Sequence, residues 1–256
     1  LWPQCDEINA NNILFGFRLQ CDIRDTGNNE AGALTAVDEL RTDPNLPLLG
    51  VVGSSRSAES KIVAVVGSVI DLPQISYSST SAILSDKDVY PFFGRTVPPD
   101  SLQGRAVVDI LTNPAFRWRR CFLLFTNDEY GQSIAQTVQD YALTANLLVV
   151  GVRQFKPSLN TNCTTNPAGC AEDTRIVDEV VSAVRSSGVR VVIVAADSSA
   201  IPVLSAASAA GLISEDFQWI GTDSLMQDSL LTTARRPLFR GMLGTRPVSL
   251  VGQPAQ

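Results

Sequence analysis

Short runs of β-forming residues alternate with amphipathic helical stretches along almost the whole chain. This alternation limits the fold more than any single motif does, because strand, helix, strand, helix is the pattern of a parallel, doubly wound sheet. After an opening helical segment carrying Leu1, Cys5 and Ile8, residues 17–25 read as a strand, with Phe17, Leu19, Cys21 and Ile23 alternating against polar neighbours. Residues 30–40 read as a helix through Ala33, Leu34, Val37 and Leu40, and residues 48–52 as a short buried strand. Gly53-Ser54-Ser55-Arg56-Ser57 then leads into a helix with Ile62, Val65, Val66 and Val69 on one face, followed by a strand at Gln74.

Pro98-Pro99 interrupts the pattern, and Asp100 with Gln103 has the spacing of a capping box opening the next helix. The alternation then resumes. Strands are expected at 121–125, 147–152, 189–195, 218–221 and near 238–243, and helices at 128–142, 173–184 and 200–210. Residues 154–171 form the longest irregular stretch and read as a surface loop. The predicted fold is α/β with two lobes, each a doubly wound, mainly parallel sheet flanked by helices: residues 1–99, residues 100–244, and a return crossing over 245–256.

Charge and composition narrow the function. The net charge is −6, which argues against nucleic acid or an anionic membrane surface as partner. No apolar run approaches the roughly 20 residues of a membrane span, so any membrane association is expected through parts outside this sequence. There is no histidine and no Cys-x-x-Cys spacing, so neither a metal nor another cofactor is expected, and no nucleophile with a paired base points to an enzyme. Of the five cysteines, Cys163 and Cys170 bracket a turn-rich loop and are expected to form a disulfide. Asn162-Cys163-Thr164 is a glycosylation triplet, which with the disulfide fits an oxidising, extracellular setting. Cys121 sits in an apolar run and reads as a buried free thiol, while Cys5 and Cys21 pair either with each other or elsewhere.

Ligands of open parallel sheets gather beyond the carboxyl ends of the strands. Ser57 falls at such an end and at a helix N-terminus, where unpaired N–H groups favour a carboxylate. Ser78 and Thr80, after the next strand, add donors for the same anion. Asp223 follows the strand 218–221 and supplies a carboxylate for an ammonium, and Tyr130 offers a ring face to that cation. Each residue alone has a plain structural reading as a cap, a turn or a core aromatic. Together they outline a receptor for a free α-amino acid or a similar small zwitterion.

The order SYSSTS, LSD, RTVPPD and an Asp-led helix resembles the ligand-binding Venus flytrap domain of metabotropic glutamate receptors and other family C receptors. More distantly it is similar to bacterial leucine/isoleucine/valine-binding proteins. The resemblance implies a periplasmic-binding-protein type 1 fold from which an N-terminal strand and helix are missing here. It matches GSSRS at Ser57, SYSST at Ser78 and Thr80, DEYGQS at Tyr130 and WIGTDS at Asp223, and it makes Asp100 an interlobe acid that contacts ligand. It further implies a cell-surface receptor ectodomain that signals by lobe closure, as a homo- or heterodimer through the first lobe. A periplasmic importer component and a ligand-less co-receptor module are the alternatives. Glutamate-selective members place a basic residue shortly after the amine-binding acid, whereas residues 224–228 contain none. Arg56 is the nearby cation that could take that place, though a solvated arginine is the plainer reading.

Overall fold

A computed structural model describes residues 2–43, 47–159 and 167–246. Its strands fall into two parallel sheets. Helix α1 (Trp2–Ala10) and helix α2 (Glu30–Thr42) precede strand β1 (Val51–Val52), helix α3 (Ser57–Ile70), strand β2 (Gln74–Ser76) and strand β3 (Phe93–Arg95). These strands form a three-stranded sheet in the order β1-β2-β3. Helix α4 (Asp100–Thr112) leads to β4 (Arg120–Thr126), α5 (Glu129–Thr144), β5 (Leu148–Phe155), α6 (Pro167–Ser186), β6 (Val191–Ala195), α7 (Ile201–Ala209), β7 (Gln218–Gly221) and β8 (Leu243–Gly244). The second sheet runs β5-β4-β6-β7-β8, and every described pairing is parallel.

The inner strands β4 and β6 of the second sheet are buried on both faces, which is why they read as continuous apolar runs. Successive residues of β4 point to opposite sides. Cys121 and Leu123 pack with Ile193 of β6 against Val107 and Leu111 of α4 and Ile134 and Val138 of α5. Phe122 and Leu124 pack with Val192 and Val194 against Val180 and Val184 of α6 and Leu204 of α7. Cys121 is free and fully buried, and burial pushes its thiol pKa up to about 12. It is an inert core residue. The first sheet has a smaller core: Ala33 and Val37 of α2 meet Val63 of α3 and Leu72.

The structure revises several expectations. Residues 17–25 make no ladder, because no described strand runs alongside; Phe17 is 81% exposed. The Asn9 side chain substitutes locally for a partner strand. Its Nδ2 donates to Leu19 O at 2.7 Å and its Oδ1 accepts from Leu19 N at 2.8 Å. Cys21, in the same stretch, is bonded to Cys5, with 6.4 Å between Cα atoms, which resolves the pairing left open by sequence. Helix α6 starts at Pro167, inside the expected loop, since proline lacks only an N–H that the first turn leaves unpaired anyway. Near the end, Arg236–Phe239 is a 3-10 turn and β8 is only two residues long, as Pro237 and Gly241, with φ of 72°, break the expected strand. Asp100 opens α4 as its first residue, but Pro99 occupies the cap position and no side chain caps that end, so the capping box is not made. Cys170 is disulfide-bonded; Cys163 and Asn162 lie outside the described residues.

Candidate ligand site between the two sheets

The turn after β1 is built by serines. Gly53 has φ of 136°, open to glycine and strained for other residues, and turns the chain toward α3. Ser54 O accepts from Ser76 Oγ at 2.7 Å, Ser60 Oγ at 3.1 Å and Ser79 Oγ at 3.2 Å, so these hydroxyls fasten the turn to β2 and α3. The Ser-rich composition of this region is therefore partly structural. The N-terminus of α3 projects into a cavity of about 530 Å³, a size suited to a small molecule.

Ser57 and Ser78 line that cavity from the first-sheet side, and Tyr130 lines it from the second. Ser57 is buried, and its Oγ accepts from Ser81 N at 3.2 Å. Ser78 is exposed to the cavity mouth. Tyr130, in the first turn of α5, is brought there by Gly131. A Cβ at Gly131 would stand 2.2 Å from Thr126 O, so only glycine lets α5 start so close to the end of β4. Tyr130 Oη donates to Asp223 Oδ1 at 2.6 Å and accepts from Ser224 N at 3.4 Å. The ring is half-buried but its hydroxyl end is enclosed. Burial, then the charges of Asp223 and Asp100, hold its pKa well above the usual phenol value, so it stays a donor.

Asp223 does not itself line the cavity and is joined to it through the Tyr130 hydroxyl. Thr80 and Asp100 lie deeper, away from the lining. Asp100 is 1% exposed, its backbone N donates to Thr80 O at 2.7 Å, and neither carboxyl oxygen has a well-formed hydrogen bond. Burial raises its pKa to about 7; the Thr80 and Ser133 hydroxyls and Arg95 oppose the shift, and Asp223 adds to it. Arg95 is in turn tied to the loop, donating to Ser81 O at 2.7 Å and Ser79 O at 3.3 Å. The six expected site residues thus form two layers: Ser57, Ser78 and Tyr130 on the cavity surface, and Asp223, Thr80 and Asp100 behind.

Sequence reasoning missed the charges that cross the cavity. Arg56 is not a solvated arginine. Its Nη2 reaches Asp128 Oδ2 at 3.3 Å and its Nη1 reaches Asp197 Oδ2 at 3.2 Å. Asp128 caps α5, with Oδ1 accepting from Gly131 N at 2.9 Å and Thr126 Oγ1 at 2.8 Å. Asp197 caps the 3-10 turn after β6, with Oδ1 accepting from Ser199 N at 2.9 Å. The two acids follow β4 and β6, which flank the point where strand order reverses; the rule about carboxyl ends, applied to every strand, would have found them. Beside this set, Lys61 Nζ pairs with Glu129 Oε2 at 2.8 Å, and Ala82 N donates to Ser133 Oγ at 2.8 Å.

Parallel sheets flanked by helices, with a polar cavity at the strands' carboxyl ends, define a periplasmic-binding-protein-like ligand-binding domain. The chain belongs to the receptor family ligand binding region family, whose profile matches residues 5–252. It is 28% identical over 214 residues to metabotropic glutamate receptor-like protein E of Dictyostelium discoideum, covering 82% of this chain and 24% of that protein. It is 32% identical over 199 residues to the metabotropic glutamate receptor of Drosophila melanogaster, covering 77% of this chain and 19% of that one. With metabotropic glutamate receptor 6 of Oryctolagus cuniculus it shares 31% over 214 residues, 80% of this chain and 23% of the relative. The chain spans less than a quarter of the length of each of these relatives, which are named as receptors, not as enzymes. Among the described residues no helix is long and apolar enough to cross a membrane.

Proposed function

We propose that this chain is the extracellular ligand-binding part of a cell-surface receptor that takes a free α-amino acid between two lobes, residues 1–99 and 100–244, and signals when they close on it. Of the return crossing expected over 245–256, residues 247–256 lie outside the described residues. The observation that carries this reading is the polarity of the cavity. One wall presents the N-terminus of α3 with the hydroxyls of Ser57 and Ser78, all donors suited to a carboxylate. The other presents the Tyr130 ring backed by Asp223, an acceptor pair suited to an ammonium. Thr80 and Asp100 support this surface from behind.

The test is calorimetry with a panel of free amino acids on the intact polypeptide, and then with the bound ligand acetylated at its amine or amidated at its α-carboxylate. Either block is expected to abolish binding. Asp223→Ala is expected to weaken it by roughly 30-fold or more, since losing one partner of a buried charge pair costs about 2 to 5 kcal/mol. Ser57→Ala should cost less, because the helix N–H groups remain. Binding that survives both blocks, or no binding of any amino acid, would overturn this reading in favour of a ligand-less module.

A further inference from the structure

Resting on the amino-acid reading, we infer that Arg56, Asp128 and Asp197 set the ligand's side-chain class: uncharged and hydrogen-bonding, with acidic side chains excluded. Among the described residues lining the cavity, Arg56 is the one cation, and it is already shared between two carboxylates. A ligand's distal carboxylate would have to draw Arg56 from both. That would leave Asp128 Oδ2 and Asp197 Oδ2 without their guanidinium partner in the same cavity as a third anion.

The acids cannot retreat to relieve this. Each is fastened through its other oxygen to the start of a helical turn, Asp128 by Gly131 N and the Thr126 hydroxyl, Asp197 by Ser199 N. They are therefore a fixed part of the second-sheet wall, and the guanidinium between them leaves that trio with a net negative charge. The rest of this end of the cavity is neutral and mostly polar: Ser198, Ser224, Gln227 and Ser229 line it beside the single apolar Leu230. Such a surface pairs with a hydroxyl or amide and offers a second carboxylate no free positive partner.

The inference is tested by matched pairs that differ only in side-chain charge, glutamine against glutamate and asparagine against aspartate, with serine as a short neutral probe, in calorimetry on the intact polypeptide. The neutral member of each pair is expected to bind at least about tenfold tighter than its acid. In Asp197→Asn, and more so in Asp128→Asn with Asp197→Asn, that ratio should fall by about tenfold, because Arg56 is then released from a fixed acid. Circular dichroism identifies a variant that fails to fold, in which case the wild-type ratios and Arg56→Gln, expected to widen the preference against acids, decide the matter. Acidic amino acids binding as tightly as their amides would overturn this inference while leaving the amino-acid site standing. A ratio unmoved in folded Asp197→Asn would remove the three residues from the role. No binding by any amino acid would remove the underlying reading and this inference together.

Discussion

The two sheets differ in how they are supported, and the difference explains how the site is built. The five-stranded sheet is sandwiched: β6 is buried along its whole length, with α4 and α5 on one face and α6 and α7 on the other. The three-stranded sheet is shorter and open on one side, where Ile75 in its central strand is 51% exposed and Val52 is 57% exposed. Rigid caps on the well-packed sheet carry the acids Asp128 and Asp197, whereas the thinner sheet contributes a helix end, hydroxyls and the cation Arg56. One wall is thus held by its own core, and the other is registered against it by polar contacts across the cavity.

The sharpest way to break that contrast is to truncate the same residue type in the central strand of each sheet. Ile193→Ala, in β6, removes a side chain that is fully buried and should destabilise the protein by about 2–5 kcal/mol in denaturant unfolding. Ile75→Ala, in β2, should cost no more than about 0.5 kcal/mol, as expected for a surface position. Equal costs would mean that the open face of the first sheet is covered in solution, and the asymmetry would then belong to the isolated chain only.

Asp100 lies where the two regions meet, at the start of α4, and gives a pH signature to their junction. Its carboxyl is harder to ionise in the fold than in the unfolded chain, because burial raises its pKa from 3.8 to about 7. The stability it contributes is therefore fully present below about pH 4 and is lost as pH rises through about 7, a swing on the order of 4 kcal/mol. Asp100→Asn cannot ionise. The stability of the variant relative to the parent should climb between pH 4 and 7.5, as read from unfolding curves at matched ionic strength. A flat difference would mean that the carboxyl is solvated or firmly paired.

The same contrast decides how much was legible in sequence. In the second sheet, burial on both faces writes itself as unbroken apolar runs such as Val191 to Ala195, and those strands are found within a few residues of their expected limits. The residues 17–25 alternate as a strand should, yet alternation records only a capacity to pair, and no described strand lies beside them. That Ser57, Tyr130 and Asp223 fall at strand ends was legible in sequence, whereas the hydrogen bond between Tyr130 and Asp223 was not. Nor was Arg56, because an arginine next to serines looks the same whether it meets water or two aspartates 72 and 141 residues away in the chain. Pairings of that span depend on how two sheets face each other, and local pattern carries no trace of it. Asp128 was visible as a helix start, but its free oxygen acquires a role only once Arg56 is placed opposite.

The smallest effect is the most specific to the junction. Lys61, on α3, and Glu129, on α5, join the two regions at 2.8 Å with side chains 34% and 19% exposed. The hydrogen bond to Glu129, more than any other influence, raises the Lys61 pKa, so the lysine stays charged through the neutral range. A partly exposed pair is screened and pays entropy for holding a long lysine in place, so a double-mutant cycle of Lys61→Gln and Glu129→Gln should return a coupling of only about 0.2–1 kcal/mol. Its diagnostic feature is salt dependence. Between 0.05 and 0.5 M salt, concentrations spanning a Debye length of about 10 Å at 0.1 M, the coupling should shrink toward zero, while the cost of Ile193→Ala stays constant. A coupling that persists at high salt would mean that the walls are pressed together tightly enough to exclude water from this pair, and the first sheet would then be held by packing after all.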